Sequence, residues 1–416
     1  MSVVLSASVR QNLLSLQSTA DLLATTQNRL SSGKKVNTAL DNPTNYFTAA
    51  GLDNRASDIN NLLDGIGNGV QVLQAANTGL TSLQKLVDTA KSIANQVLQT
   101  TAGYAVKASA TTAAPTGAVP LSTPGTAADL TNAGTNSLDG DTYVFTPAVG
   151  APVTITVDST VAVGNVNSID AFNAALSTAG IGLTASLAAN GSISFTSTND
   201  NASQSLTLGT TPAANTVALS GTGGGTFALV TPAGGTAGKP VADAASQTIR
   251  SNLVAQYNDI IAQITTTAQD ASFNGINLLN GDDLKLTFNE TGKSILNIKG
   301  VTFGAAGLGL APLLAGTDFL DNASAKATID KISNASNMLR THASALGSNL
   351  SIVQIRQDFN KNLINVLQNG SANLTLADTN EEAANSQALS TRQSIAVSAL
   401  ALANQSQQSV LQLLRT

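Results

Sequence analysis

Cysteine and tryptophan are both absent from the 416 residues, and histidine occurs once. Without cysteine the chain can form no disulfide, no thiolate metal site and no cysteine nucleophile, and nothing can cross-link it during transport. His342 as the lone histidine excludes any two-histidine metal site, including the HExxH zinc motif, so it is expected to be structural and solvated. Aromatics make up 3% and charged residues 11%, against about 25% charged in an ordinary globular protein. With 20 basic and 25 acidic residues the net charge is -5, which offers no electrostatic footprint for nucleic acid or an anionic membrane. No apolar run approaches the ~20 residues of a membrane span, and residues 1–16 lack a basic region followed by a continuous apolar stretch. Neither a transmembrane helix nor an ordinary secretory signal is therefore expected.

What the chain has instead is Ala, Leu, Ile and Val at helical spacing. A 3-4-3-4 repeat keeps one stripe facing a partner helix. Near the start, Val9, Leu13, Leu16, Ala20, Leu23, Gln27 and Leu30 hold that repeat with one polar member. A longer run keeps it from Ile59 to Val97 without a break, through Leu73, Leu80, Leu83 and Val87. Leu253, Tyr257, Ile260 and Ile264 predict a third helix that stops at the Phe273-Asn274-Gly275 turn. The repeat returns from Ile329 through Leu339, Leu346, Val353 and Ile364 to Leu367, where Asn369-Gly370 is expected to end it. Thr379 with Glu382 three residues on fits a capping box opening a last helix, which carries Leu389, Ile395, Leu400, Val410, Leu411, Leu413 and Leu414.

Between residues 101 and 238 the helical period disappears. Seven charged residues and seven of the ten prolines fall there, amid Thr, Ala and Gly. Stretches 142–145, 153–157 and 192–196 alternate or carry β-branched residues between turn signals, and predict short strands. Leu284, Leu286 and Phe288, a Glu290-Thr291-Gly292 turn and residues 295–298 predict a hairpin. The expected fold is mainly α: a long antiparallel helical hairpin or coiled-coil core built from both chain ends, plus a β-rich inserted domain. The boundaries are 1–36 with 378–416 for the terminal helices, 37–100 with 241–377 for the helical core, and 101–240 for the insert.

The long helices can bury their stripes against each other and against residues 249–270. The two terminal helices have no third helix to cover their outer faces. An exposed apolar stripe of some 30 residues, about 45 Å at 1.5 Å rise per residue, asks for another chain. If one contact repeats head to tail without closing, the product is a helical filament.

Three segments carry a family resemblance. NRLSSGKKVNTALDN at 28–42 resembles the loop joining the two N-terminal helices of bacterial flagellins. Ser272-Phe273-Asn274-Gly275 with the following 276–279 is similar to the turn ending their second core helix. ALANQSQQSVLQLLR at 401–415 is similar to their last helix, Ala403, Asn404, Gln405, Val410, Leu411, Leu413, Leu414 and Arg415 matching position by position. The resemblance covers 1–100 and 241–416, and is to an alphaproteobacterial type with the outer domain inserted between the first two core helices, where the usual plan has it after the hairpin. Residues 168–198 also resemble a short repeat of flagellins and hook proteins in which a helix precedes two strands.

The resemblance implies a secreted, non-enzymatic subunit of the extracellular flagellar filament, with D0- and D1-type helical layers and no cofactor. Val9, Leu13, Leu16, Leu23, Leu30, Leu389, Ile395, Leu400, Val410, Leu411, Leu413 and Leu414 would make its contacts between subunits. Recognition by the export machinery would involve about residues 27–47, with Arg29, Leu30, Gly33, Asn37 and Asp41 among them. The implied partners are the chain itself, the flagellar export apparatus, an export chaperone, and the filament cap and junction proteins, with room for other flagellins. Thr89, Ala90, Lys91 and Ser92 align with an Arg-x-Arg-Glu cluster in flagellins that activate a vertebrate innate receptor, so weak activation is expected. Two other identities fit the ends: a hook-filament junction protein, whose termini resemble these less closely, and an exported adhesin or enzyme using flagellin-like ends as an address.

The remaining motifs read as structure. Gly234 to Lys239 departs from a phosphate loop, with Ala233 for the first Gly and Pro240 after the Lys. Asp141, Asp158, Asp170 and Asp200 lack ion-binding spacing and are expected to form turns. Asn42 before Pro43 predicts a helix start, Asn42 capping and Pro43 first in the helix.

Overall fold

The computed structural model describes residues 7–112, 130, 138, 140–146, 151–158, 160, 165–188, 192–209, 215–220, 228–230 and 236–413. Among these are the helices α1 (Ala7–Ser32), α2 (Pro43–Gln99), α3 (Ile169–Thr178), α4 (Ala244–Asp270), α5 (Asn322–Thr375) and α6 (Thr379–Leu413). The strands are β1 (Tyr104–Val106), β2 (Ser109–Thr111), β3 (Thr142–Thr146), β4 (Val153–Val157), β5 (Asn165–Val166), β6 (Leu183–Leu187), β7 (Ile193–Ser197), β8 (Ser205–Gly209), β9 (Asn215–Ser220), β10 (Ala228–Val230), β11 (Thr236–Gly238), β12 (Val241–Ala242), β13 (Leu284–Thr287) and β14 (Ile295–Ile298). The chain divides into two compact units, one of residues 1–71, 285–297 and 350–416, the other of 72–284 and 298–349.

In the first unit α1 packs against α6 and the start of α2 packs against the end of α5. Asn42 opens α2 as expected, its Oδ1 accepting the Asn45 N–H at 3.0 Å. The α2–α5 seam buries Ala56 and Ile59 against Ile364 and Leu367. The hairpin covers one side, with Gly69 leaving room for Leu286, and Phe288 giving its carbonyl to the buried Asn360 side chain at 3.0 Å. Two expectations fail here. Asn369-Gly370 does not end α5, which runs on to Thr375. Gly370 is a contact residue instead, because a Cβ there would already touch Leu52 Cδ1 at 3.4 Å. Nor is Thr379 the cap of α6: the Asp378 carboxylate accepts the amides of Asn380 (2.9 Å) and Glu381 (3.3 Å), and an acid at that position also suits the helix dipole.

In the second unit the α2 heptad is buried as read, through Leu73, Ala76, Leu80, Leu83, Val87, Ala90, Ala94 and Val97. On α5 the predicted Ile332, Ser336, Leu339 and Leu346 are buried, with Ala335 beside them, while Ile329 and Ala343 are half-buried. On α4 the predicted Leu253, Tyr257 and Ile264 are buried, but Ile260 is half-buried and the inner face passes through Val254 and Ile261 instead. After α4, Asn274 (φ +51°) and Gly275 (φ +79°) make a two-residue turn between Phe273 and Ile276, whose amides and carbonyls bond reciprocally at 3.0 Å. Two consecutive positive φ values explain why the sequence there is Asn-Gly. His342 is only partly solvated: it is half-buried, its ring edge-on to Phe303 with centroids 4.8 Å apart.

The strand module of this unit leaves the helices through β1 and returns through β12, which pair antiparallel. It holds a six-stranded sheet, β10-β8-β9-β3-β4-β5, and a four-stranded sheet, β11-β2-β7-β6. Tyr143 and Phe145 from β3, Phe172 from α3 and Phe195 from β7 meet in its core, with ring centroids 5.3 to 6.2 Å apart. A chain so poor in aromatics thus spends four of them on one small core. The 168–198 segment is a helix followed by two strands, and Ser168 caps α3 through the Ala171 amide at 3.2 Å. Asp158 shapes a turn, accepting from the Thr160 amide at 2.7 Å and hydroxyl at 2.6 Å.

Candidate assembly surface

The last turn of α1 meets the first turn of α6, so the two terminal helices run antiparallel. Their facing residues repeat at 3-4 spacing: Val9, Asn12, Leu16, Thr19, Leu23 and Thr26 on α1, and Glu382, Ser386, Leu389, Gln393, Ala396, Leu400 and Ala403 on α6. Val9 and Thr26 are buried, while Leu16, Leu23, Leu389 and Leu400 are half-buried. Leu13, Leu30 and Ile395 lie off this seam and are exposed, Ile395 at 63%. The seam alternates Leu with small polar residues, so it closes the pair without consuming its apolar surface. Sequence reasoning missed Leu14, Leu22, Val397 and Leu402, which are also exposed. Ile395 and Leu402 are one heptad apart and one position before the seam residues Ala396 and Ala403, a second stripe the period alone could have revealed. The side chains of Val410, Leu411, Leu413 and Leu414 lie outside the described residues.

The loop between α1 and α2 is built onto the α5–α6 junction. Gly33 turns the chain at φ +67°, a value that favours glycine. Its carbonyl accepts the Ala377 amide at 3.0 Å, and the Thr375 carbonyl accepts the amides of Lys35 (2.7 Å) and Val36 (3.3 Å). Asp41 gathers the loop, Oδ2 accepting the amides of Thr38 at 2.8 Å and Asn37 at 2.9 Å. Those backbone bonds, Thr38 first, hold its carboxyl below the ordinary value of 3.8. Arg29 reaches Glu382, Nη1 to Oε1, at 3.3 Å. Four of the five residues singled out for export, Arg29, Gly33, Asn37 and Asp41, therefore take part in one folded junction. Glu382 and Thr375 complete it and their part in it was missed, because Glu382 acts across hundreds of positions of sequence and Thr375 through its backbone carbonyl.

On α2, Thr89 and Ser92 are exposed and Lys91 is half-buried. With Asp88, Asn95, Gln96 and Gln99, Lys91 and Ser92 line a shallow polar groove. Among the described residues no His, Cys, Asp and Glu side chains cluster as metal ligands would, and no helix is long and apolar enough to cross a membrane.

The end helices are thus paired, carry apolar residues on their outer faces and are joined through a bonded loop. Residues 5–114 match the family described as bacterial flagellin N-terminal helical region, and residues 329–414 the bacterial flagellin C-terminal helical region. On these two matches, in the right order, both ends of the chain are similar to bacterial flagellins. The chain is similar to flagellin FljM of Caulobacter vibrioides, 34% identical over 165 residues, covering 39% of this chain and 59% of that one. Flagellin A of Rhizobium meliloti is 34% identical over 124 residues, 30% of this chain and 27% of its own. A flagellin of Brucella melitensis is 28% identical over 181 residues, 41% of this chain and 64% of its own. The chain thus spans under two thirds of the length of each of these relatives. Among solved structures, the D1-D2-D3 domains of the Escherichia coli flagellar cap protein FliD align at 13% identity over 69% of this chain and 99% of that one, with a TM-score of 0.15, too low to bear on the fold.

Proposed function

We propose that this chain is the structural subunit of a bacterial flagellar filament, secreted and polymerised outside the cell, with no catalytic role. The observation that carries the reading is the apolar outer face of the paired terminal helices. Leu13, Leu14, Leu22, Leu30, Ile395, Val397 and Leu402 stand exposed on two helices already closed against each other. Burying them would contribute on the order of 5–10 kcal/mol per chain at about 25 cal/mol per Å². That is as large as the stability of many whole domains, and reason enough for such a face to be covered in the working state.

In this reading residues 1–36 and 378–416 form the inner tube, 37–100 and 241–377 the next shell, and 101–240 the outward module. The partners are further copies of the chain, the export apparatus and its chaperone, and the cap and junction proteins at the filament ends. The loop at 27–47 serves export while unfolded and assumes its bonded form afterwards. Negative-stain electron microscopy of the purified protein tests the reading: long uniform filaments are expected, and a protein that stays monomeric under all polymerising conditions would overturn it.

A further inference from the structure

The strand module does more than hang from α2 and α4. At its root lies a cluster of charge shut away from water. Arg250 of α4 is 1% exposed and Asp321, just before α5, is 2% exposed. The guanidinium spends its donors on carbonyls where α2 has just ended: Nε on Thr101 at 3.0 Å, and Nη2 on Thr101 at 2.9 Å and Thr100 at 3.4 Å. Nη1 goes to the Phe319 carbonyl at 3.0 Å, and Nη2 also reaches the Asn322 side chain at 3.0 Å. Phe319 is fully buried and left-handed at φ +57°, a conformation a bulky residue adopts only when its surroundings enforce it. The segment leading into α5 is therefore held in one conformation.

Asp321 is where the module enters this arrangement. Its Oδ1 accepts the Ser324 amide at 3.1 Å, capping α5. Its Oδ2 accepts the Ser203 hydroxyl at 2.6 Å and the Ser203 amide at 3.4 Å. Ser203 follows β7 by way of a short turn at Asn199–Asn201, and Asn201 packs so closely on Gly182 that no Cβ fits there. One carboxylate thus bonds α5 with one oxygen and the module with the other, and its charge faces buried Arg250. A second link, Lys326 to Asp200 at 2.5 Å, is half-exposed on both sides. Such surface pairs contribute little, whereas a buried carboxylate stripped of a donor is costly.

We propose that Asp321 is a clasp that fixes the pose of the strand module on the α4–α5 root, through Ser203. Without it the module stays tethered by β1 and β12 but swings. The absence of cysteine permits clean labelling at two engineered sites: Thr178→Cys on α3 and Asn334→Cys on α5, both exposed. Pulsed electron-spin distance measurement on the full chain should give a narrow distribution. Ser203→Ala should at least double its width. Asp321→Ser should do the same while helicity by circular dichroism holds, because serine still caps α5 but cannot reach Ser203. Lys326→Ala should leave the width unchanged. The clasp is refuted if Ser203→Ala and Asp321→Ser keep the parental width, or if Lys326→Ala alone broadens it as much. Should Asp321→Ser fail to fold, Ser203→Ala still decides, since it removes one hydroxyl.

Discussion

Arg29, in the last turn of α1, sets its guanidinium 3.3 Å from the carboxylate of Glu382, in the first turn of α6 and 353 positions away. Each charge also sits at the helix end that favours it, the cation at a C-terminus and the anion at an N-terminus. Part of the pair's contribution is therefore not pairwise at all.

That distinction can be measured. Glu382→Gln should cost about 0.5–1 kcal/mol of α1–α6 stability, since the Arg29 side chain is 38% exposed and water screens the pair. The double exchange Arg29→Glu with Glu382→Arg restores the pair but puts both charges at the wrong helix ends. It should remain less stable than the parent in thermal unfolding followed by circular dichroism; full restoration would show that the dipoles contribute nothing.

Asp41 gives the junction loop a dependence on acid. Its carboxyl is held below the ordinary value of 3.8, chiefly by the Thr38 and then the Asn37 amide. A depressed folded pKa contributes stability that is complete above 3.8 and lost as pH falls through the lower, folded value. Hydrogen-exchange protection of the Asn37 and Thr38 amides should thus be constant down to about pH 5 and fall below about pH 4. Asp41→Asn should show reduced protection at neutral pH, with no such fall.

Two glycines four residues apart in α2 should respond in opposite directions. At Gly65 a Cβ would meet nothing within 4 Å, whereas at Gly69 it would run into the buried Leu286 side chain. Gly65→Ala should stabilise by about 0.5–1 kcal/mol through helix propensity. Gly69→Ala should destabilise by about 1–3 kcal/mol, because a Cβ there would push the buried Leu286 side chain out of its packed position. Urea unfolding of the two variants checks both signs.

This contrast also marks the limit of what was legible in the sequence. Periodicity reports which face of a helix is buried, so the α2, α4 and α5 stripes and the Asn-Gly turn were readable from local pattern. It does not report what sits opposite. Gly370 looks like a helix end until Leu52 is seen against it, and Glu382 looks like half of a capping box until Arg29 is seen beside it. In α1 the repeat put Leu13 and Leu30 on one stripe with Leu16 and Leu23, but the seam runs through Asn12, Leu16, Thr19, Leu23 and Thr26 and leaves Leu13, Leu14, Leu22 and Leu30 outside. The Ser203–Asp321 contact joins residues 118 positions apart through the hydroxyl and amide of a single serine, and no pattern encodes it.

The stretch of α2 that the family resemblance aligns with a receptor contact offers a test independent of assembly. Thr89 and Ser92 are exposed and Lys91 half-buried where activating flagellins carry an Arg-x-Arg-Glu cluster. Each lost charge-assisted contact is worth about 1.5–3 kcal/mol, so reporter-cell activation should be at least tenfold weaker than with an Arg-containing flagellin. An equally strong response would show that this segment does not govern recognition.

The strand module should be removable without loss of polymerisation. The argument rests on where the chain leaves and re-enters the helices. Tyr104 pairs with Ala242 and Val106 with Val241, and the Asp243 amide bonds the Gly103 carbonyl at 2.9 Å. The two ends are thus already side by side, and a short Gly/Ser turn replacing 107–240 closes a loop whose cost grows only slowly with its length. Arg250 keeps its bonds to Thr100, Thr101, Phe319 and Asn322, because none comes from the deleted segment. Asp321 loses Ser203 but gains water, and it still caps α5 through Ser324. Expressed in a strain lacking its own flagellins, the variant should form filaments of smaller diameter under the electron microscope. A soluble, helical and normally exported variant that makes no filaments would show that residues 107–240 supply essential contacts between subunits.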